Sequence, residues 1–358
     1  MAPMAVWRGV IARYGDRMAI RGTDRPVTLN EGGTPLIPAP RLARALGLGC
    51  ELHLKYEGLN PTGSFKDRGM TAAVTDALAG GARAVICAST GNTAASAAAY
   101  AARAGMECVV LVPDGKIAMG KLAGAVAYGA RVVAIDGSFD RALEMVREAS
   151  DRGPVVLVNS LNEARIEGQK TAAWEIVEAL GAVPDWLALP VGNAGNITAY
   201  WRGFREHHEA TGQGLPRILG AQAQGAAPIV FGRRVEHPET RATAIRIGNP
   251  ARWSQALEAL EQSRGEILAV TDDEIFDAYR LAAATEGVFC EPSSAAGLAG
   301  LRKAVRLGRI DLEGRTVAAV LTGHGLKDPS SALDCDLRIE KVPAETEALL
   351  DLMQGAPA

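Results

Sequence analysis

The sequence predicts an α/β protein whose sheets are parallel and covered by helices on both faces. Short, continuous apolar runs recur along the chain, and a helix-like pattern separates each run from the next. Strands buried on both faces read in this continuous way, whereas half-exposed antiparallel strands alternate apolar and polar residues. Several of the runs also end in turns of Gly, Ser, Thr and Asn that open directly into a helical pattern, as βα units do. The 358 residues, 48% of them apolar, suffice for two packed cores.

Taken in order, the predicted strands lie at residues 83–87, 107–112, 131–135 and 154–158, then at 186–191, 217–221, 266–270 and 317–321. Val, Ile and Leu dominate them, in keeping with strand propensity. No repeat period or low-complexity tract appears. From pattern alone the chain divides near Asn159 into two similar α/β halves.

A formal charge of −3, with basic and acidic residues intermixed, leaves no footprint for nucleic acid or an anionic membrane. The five cysteines, at 50, 87, 108, 290 and 335, form no C-x-x-C pair, and their odd number argues against a disulfide framework. No metal site is expected. Residues 84–102 carry no charge, but Ser-Thr-Gly-Asn-Thr in their middle marks strand, turn and helix rather than a membrane span. The charged first 21 residues lack the apolar core of a signal peptide, and a soluble, cytoplasmic protein is expected.

Chemistry concentrates at the turns. Lys66 enters a helix directly after Asn60-Pro61-Thr62-Gly63-Ser64-Phe65. There its amine faces unpaired backbone N–H groups and the positive end of the helix dipole, which disfavour an added proton. With burial added, a neutral amine able to condense with a carbonyl results. A lysine one turn into a helix is otherwise a solvated surface group. Ser89-Thr90-Gly91-Asn92-Thr93 follows one predicted strand and opens a helix, the geometry in which amides and hydroxyls converge on an anion. Simple helix capping would use the same residue types. Gly192-Asn193-Ala194-Gly195-Asn196 forms a second such turn. It lacks the Lys-Ser/Thr ending of a nucleotide P-loop and the G-x-G-x-x-G spacing of a dinucleotide site, so the phosphate it suits belongs to neither ATP nor NAD. Thr322 stands at the carboxyl tip of the last predicted strand, where ligands bind in open α/β sheets.

In order and type these segments resemble the pyridoxal-phosphate enzymes of fold type II, the tryptophan synthase β-subunit-like family, and within it the threonine synthases. Further matching runs are residues 31–36, 54–59, 112–118, 159–165 and 291–296, so the resemblance extends from about Leu29 to Pro329. It implies two doubly wound three-layer αβα domains with pyridoxal 5′-phosphate in the cleft between them. A smaller, mobile domain of residues 60–159 would be inserted into a larger one made of 1–59 and 160–358.

The resemblance also implies roles. Lys66 would hold the cofactor covalently and shuttle protons, and Gly192, Asn193, Ala194, Gly195 and Asn196 would bind the cofactor phosphate. Asn92 would meet the phenolic oxygen, and Thr322 the pyridine nitrogen. Ser89, Thr90 and Thr93 would take the amino-acid carboxylate. Asn159, Ser160 and Arg165, with Lys116, would take the phosphate of the small-molecule substrate O-phospho-L-homoserine, which water converts to L-threonine and phosphate by γ-elimination and β-replacement. The activity would be that of a carbon–oxygen lyase acting on phosphates, in a homodimer. Taken alone, Arg165 reads as a solvated charge on a helix face.

The alternative is a serine/threonine dehydratase, which needs no second phosphate site. The residues after Pro329 are too few for a regulatory domain of usual size, and those before Leu29 leave no room for an effector domain. A cysteine synthase is disfavoured by the same leaving-group pocket. A ligand-binding relative without activity would have no use for Lys66, and an NAD-dependent oxidoreductase lacks its fingerprint.

Overall fold

The computed structural model describes residues 6–114, 119–137, 139–333 and 341–355. Residues 1–327 form one compact unit and residues 328–358 a second. The second carries the helices Pro329–Leu333 and Thr346–Gly355.

Ten strands occur among the described residues, and all belong to the first unit. They are β1 (Leu36–Pro38), β2 (Glu51–Tyr56), β3 (Ala84–Ala88), β4 (Glu107–Pro113) and β5 (Arg131–Ile135), then β6 (Val155–Leu157), β7 (Trp186–Pro190), β8 (Arg217–Ala223), β9 (Glu266–Val270) and β10 (Thr316–Leu321). One sheet has the order β1-β2-β10-β7-β8-β9 and the other β5-β4-β3-β6. All pairings are parallel except β1 with β2. The predicted α/β class with parallel sheets is therefore the class observed.

Each sheet has its own apolar core. Val85, Cys87, Val110 and Val112 of the four-stranded sheet pack against Ala94, Ala97, Ala98 and Tyr100 of the helix Asn92–Ala104. The alanines let that helix sit close to the strands. Leu187, Leu189, Ile218, Ala318 and Val320 of the six-stranded sheet pack against Ile176, Ile197, Tyr200 and Phe204. Trp7, Val10, Ile11 and Tyr14 cover Trp174 of the helix Glu163–Leu180, so the N-terminal segment completes a third small cluster.

Sequence pattern missed β1 and β2. In β2 the order Glu-Leu-His-Leu-Lys-Tyr places polar groups at every second position, yet Lys55 is buried. Its ammonium donates to the Thr34 carbonyl and to Glu175, both at 2.7 Å. Glu175 also accepts from Arg68, at 2.5 and 2.6 Å, and Arg68 reaches Glu57 at 2.6 and 2.8 Å. A strand that looks amphipathic is thus buried on both faces because its charges are matched inside. The four described cysteines are free thiols, and Cys87, Cys108 and Cys290 are buried. No described helix is long and apolar enough to cross a membrane.

Candidate active site

Lys66 is the first residue of the helix Lys66–Ala79. The turn before it is held by Asp67, whose carboxylate accepts from the Thr62 amide, the Thr62 hydroxyl and the Ser96 hydroxyl, each at 2.6 Å. Gly63 has φ +81°, a backbone state that L side chains adopt with strain. Phe65 donates its amide to the Thr322 carbonyl at 2.9 Å, and Ser64 bridges Gly323, so the lysine turn is bonded to the end of β10. Desolvation, reinforced by the Arg165 charge, brings the Lys66 amine down to about 7, with Glu291 opposing. Burial pushes the Asp67 carboxyl up to about 6, against its hydroxyl and amide donors.

Asn92 opens the helix Asn92–Ala104 and donates to both Glu291 oxygens, at 3.1 and 3.4 Å. Thr322 donates to the same carboxylate at 3.3 Å and lies 2.9 Å from the Ser294 hydroxyl. Asn92 and Thr322, far apart in sequence, therefore converge on one buried side chain. Burial raises the Glu291 pKa, although Asn92 and Thr322 donate to its ionised form.

The glycine-rich turn leads into the helix Gly195–Thr211, whose N-cap Ala194 has φ +63° and offers no side-chain cap. No acidic residue occupies the first turn. The helix start thus keeps its positive end open, which is where an anion is stabilised. Asn196 is buried, and its Nδ2 has no hydrogen-bond partner among the described residues.

Ser89, Thr90 and Thr93 lie partly exposed around the start of the Asn92–Ala104 helix. Asn159 exchanges two hydrogen bonds with the backbone of Ala88, at 2.9 and 3.0 Å, and so fixes the strand end just before Ser89. Among the described residues neither the Ser160 nor the Leu161 amide donates a hydrogen bond. Ser160 Cβ lies 3.8 Å from the place a side chain would start on Gly195.

Arg165 departs from the solvated charge its helical position suggests. It is 1% exposed and donates from Nη1 to the Val158 carbonyl at 3.0 Å. Among the described residues its Nε has no partner, and no carboxylate pairs with it. Burial, together with the Arg252 charge, brings its pKa down to about 10. Lys116 lies outside the described residues.

The family model for pyridoxal-phosphate dependent enzymes matches residues 27–323. The threonine synthase of Mycobacterium leprae is 60% identical over 347 residues, covering 96% of each chain. That of Halalkalibacterium halodurans is 55% identical and covers 98% of this chain and 99% of its own. The chain belongs to the pyridoxal-phosphate-dependent threonine synthase family. A solved threonine deaminase superposes with a TM-score of 0.66 at 28% identity, over 81% of this chain and 92% of that one. As a member of this family the protein is a pyridoxal-phosphate-dependent lyase of fold type II.

The donor set fits the family's cofactor. An uncapped helix start beside two glycines and the orphaned Asn196 amide suit a phosphate, and Lys66 supplies an amine for an aldehyde. Sequence reading assigned no role to Glu291 or Ser294, which the fold places between Asn92 and Thr322. Their signal was only membership of the matching run 291–296. It passed over Arg252 entirely, because an arginine at a loop-to-helix junction carries no pattern of its own.

Proposed function

We propose that the protein converts O-phospho-L-homoserine and water into L-threonine and phosphate, with Arg165 in the pocket for the substrate phosphate. One observation supports this beyond the family: a buried guanidinium with an unpartnered N–H and, among the described residues, no carboxylate beside it. Burying a cation without an anion is costly, and the cost falls when a dianion arrives. A serine or threonine dehydratase has no phosphate on its substrate to meet that charge.

Bound pyridoxal 5′-phosphate supplies an electron sink for carbanions on the substrate. Lys66, lowered to about 7, holds the cofactor and then carries protons among the substrate α, β and γ carbons. Gly192, Asn193, Ala194, Gly195 and Asn196 bind the cofactor phosphate, and Asn92 and Thr322 orient the ring at its phenolic oxygen and pyridine nitrogen. A neutral hydroxyl at Thr322, unlike a carboxylate, would not itself hold the pyridine nitrogen protonated. Ser89, Thr90 and Thr93 take the α-carboxylate. Ser160 and Arg165, with Lys116, take the substrate phosphate. Asn159 braces that pocket through Ala88 and has one amide hydrogen to spare. The family resemblance further supports residues 60–159 acting as a smaller domain that moves against 1–59 and 160–358, and a cytoplasmic homodimer.

Arg165→Met tests the assignment, since it keeps a long side chain and removes charge and donors. Each hydrogen bond to a charged group contributes roughly 1.5–3 kcal/mol, so kcat/KM for phosphohomoserine should fall about 10- to 1,000-fold. Dehydration of threonine or serine should fall far less. Equal losses on both substrate classes would make Arg165 structural and sink the assignment.

A further inference from the structure

Arg252 lies outside every motif of the sequence and outside the residues that would touch cofactor or substrate. It is 3% exposed, at the N-cap of the helix Trp253–Gln262. Its Nε donates to the Ser160 carbonyl at 2.7 Å, and its Nη2 to the Leu161 carbonyl at 3.0 Å and to Glu163 at 2.9 Å. On the other side its own amide donates to the Asn193 carbonyl at 3.3 Å, and the neighbouring Ala251 amide to the Asn193 side chain at 3.4 Å. One residue thereby bonds the glycine-rich turn to the 160–163 turn.

The geometry points to Arg252 as a positioning residue that locks the 160–163 turn against the glycine-rich turn and so sets the substrate-phosphate pocket. Two successive carbonyls drawn toward one guanidinium fix the orientation of the peptide units they belong to, because each unit is planar. The Leu161 amide shares a peptide plane with the Ser160 carbonyl and must point the opposite way. With the carbonyls tied back on Arg252, that amide is free for an anion on the pocket side. The planar fork matters here, since a point-charge ammonium cannot hold both carbonyls in one plane. Glu163 is the lesser partner: its side chain is 65% exposed, and a pair so open to water contributes little.

This inference rests on the assignment of Asn159, Ser160 and Arg165 to the substrate-phosphate pocket, so the experiment reads both. Inorganic phosphate serves as probe on the cofactor-loaded enzyme, as a competitive inhibitor against phosphohomoserine. Arg252→Lys should raise the phosphate inhibition constant and KM about tenfold, with kcat changed less than about threefold and the cofactor absorption band unmoved; a tenfold change corresponds to about 1.4 kcal/mol. Glu163→Gln should leave the inhibition constant unchanged. A merely structural role would instead weaken cofactor retention and lower kcat by more than about threefold, and that result overturns the inference. An Arg252→Lys enzyme with an unchanged phosphate constant also overturns it, provided Arg165→Met does weaken phosphate. If Arg165→Met leaves phosphate binding intact, the pocket assignment itself fails and Arg252 falls with it. Should Arg252→Lys not fold, amide exchange on the unaltered holoenzyme decides. Added phosphate should slow exchange at 160–165 and at 251–253 together, and protection confined to 160–165 would refute the coupling.

Discussion

Arg68 and Arg165 are buried to the same degree, each 1% exposed, yet their surroundings are opposite. Arg68 is paired with Glu57 and Glu175 and also donates to the Thr34 and Thr171 hydroxyls. Burial alone would lower its pKa, but the flanking carboxylates raise it well above the usual arginine value. Arg165 has a backbone carbonyl and, among the described residues, no carboxylate, and burial holds its pKa down at about 10. One arginine completes a core; the other is a buried cation with no carboxylate beside it among the described residues. Burial therefore identifies neither structure nor function in this chain. What separates them is whether the charge is matched within the protein, since a buried charge without a partner is costly to the fold. Lys66 sits between the two, two residues before Arg68 in the chain and within the field of Arg165.

The contrast can be broken at several points. The largest effect is expected at Lys66: Lys66→Ala should abolish turnover and the covalent cofactor absorption, with cofactor retained at most by its phosphate. Peptide mapping after borohydride reduction should find the pyridoxyl group on residue 66, and its appearance on another lysine would refute the assignment.

Next is Arg68→Met, which leaves Glu57 buried without its cation and Glu175 with Lys55 alone. Breaking a buried pair in this way costs about 3–5 kcal/mol, read as a fall in the urea-unfolding free energy. A loss below about 1 kcal/mol would show that the network is dispensable.

Arg165→Met should behave in the opposite sense as regards stability. It removes a desolvated charge and a single carbonyl contact, so the cofactor-free protein should change by less than about 1 kcal/mol or gain stability while losing activity. Comparable destabilisation by Arg68→Met and Arg165→Met would erase the distinction between them.

The smallest effects are in pH. Although burial opposes it, the Arg68 and Lys55 charges hold the Glu175 pKa at about 2, below the ordinary 4.5. The stability this confers is full above about pH 4.5 and is lost as pH falls toward about 2. Lys66 acts in the other direction. Its pKa of about 7 lies below the ordinary 10.5, so the unfolded chain binds more protons between those values. Stability of the cofactor-free protein should rise with pH through that window, and Lys66→Ala should flatten the slope. An unaltered slope in that variant would mean the amine is not desolvated.

Much of this architecture is readable from sequence, for physical reasons that can be named. The strands of the four-stranded sheet are apolar on both faces, and β3, β4, β5 and β6 fall within a residue or two of the predicted runs. Lys66 at a helix start, the turns opening the helices Asn92–Ala104 and Gly195–Thr211, and Thr322 directly after β10 also stand where sequence put them. What stayed hidden depends on partners distant in the chain. Lys55 disguised β2 because its partner Glu175 lies in a helix, 120 residues on. Asn159 directs its amide to Ala88, 71 residues away. Glu291 and Arg252 act only through residues the fold brings to them.

The desolvation that lowers the Lys66 amine also bears on which nucleophile meets an aldehyde. Cys290 immediately precedes Glu291 and is fully enclosed; burial, with the adjacent Glu291 charge, pushes its thiol up to about 12. Desolvation penalises whichever form carries charge, so it strips the proton from an ammonium and retains it on a thiol. Desolvation therefore favours the free amine at Lys66, whose pKa falls to about 7, and keeps the Cys290 sulfur protonated and inert at neutral pH. Chemoselectivity for nitrogen over sulfur follows from one property of the medium acting on opposite charge types.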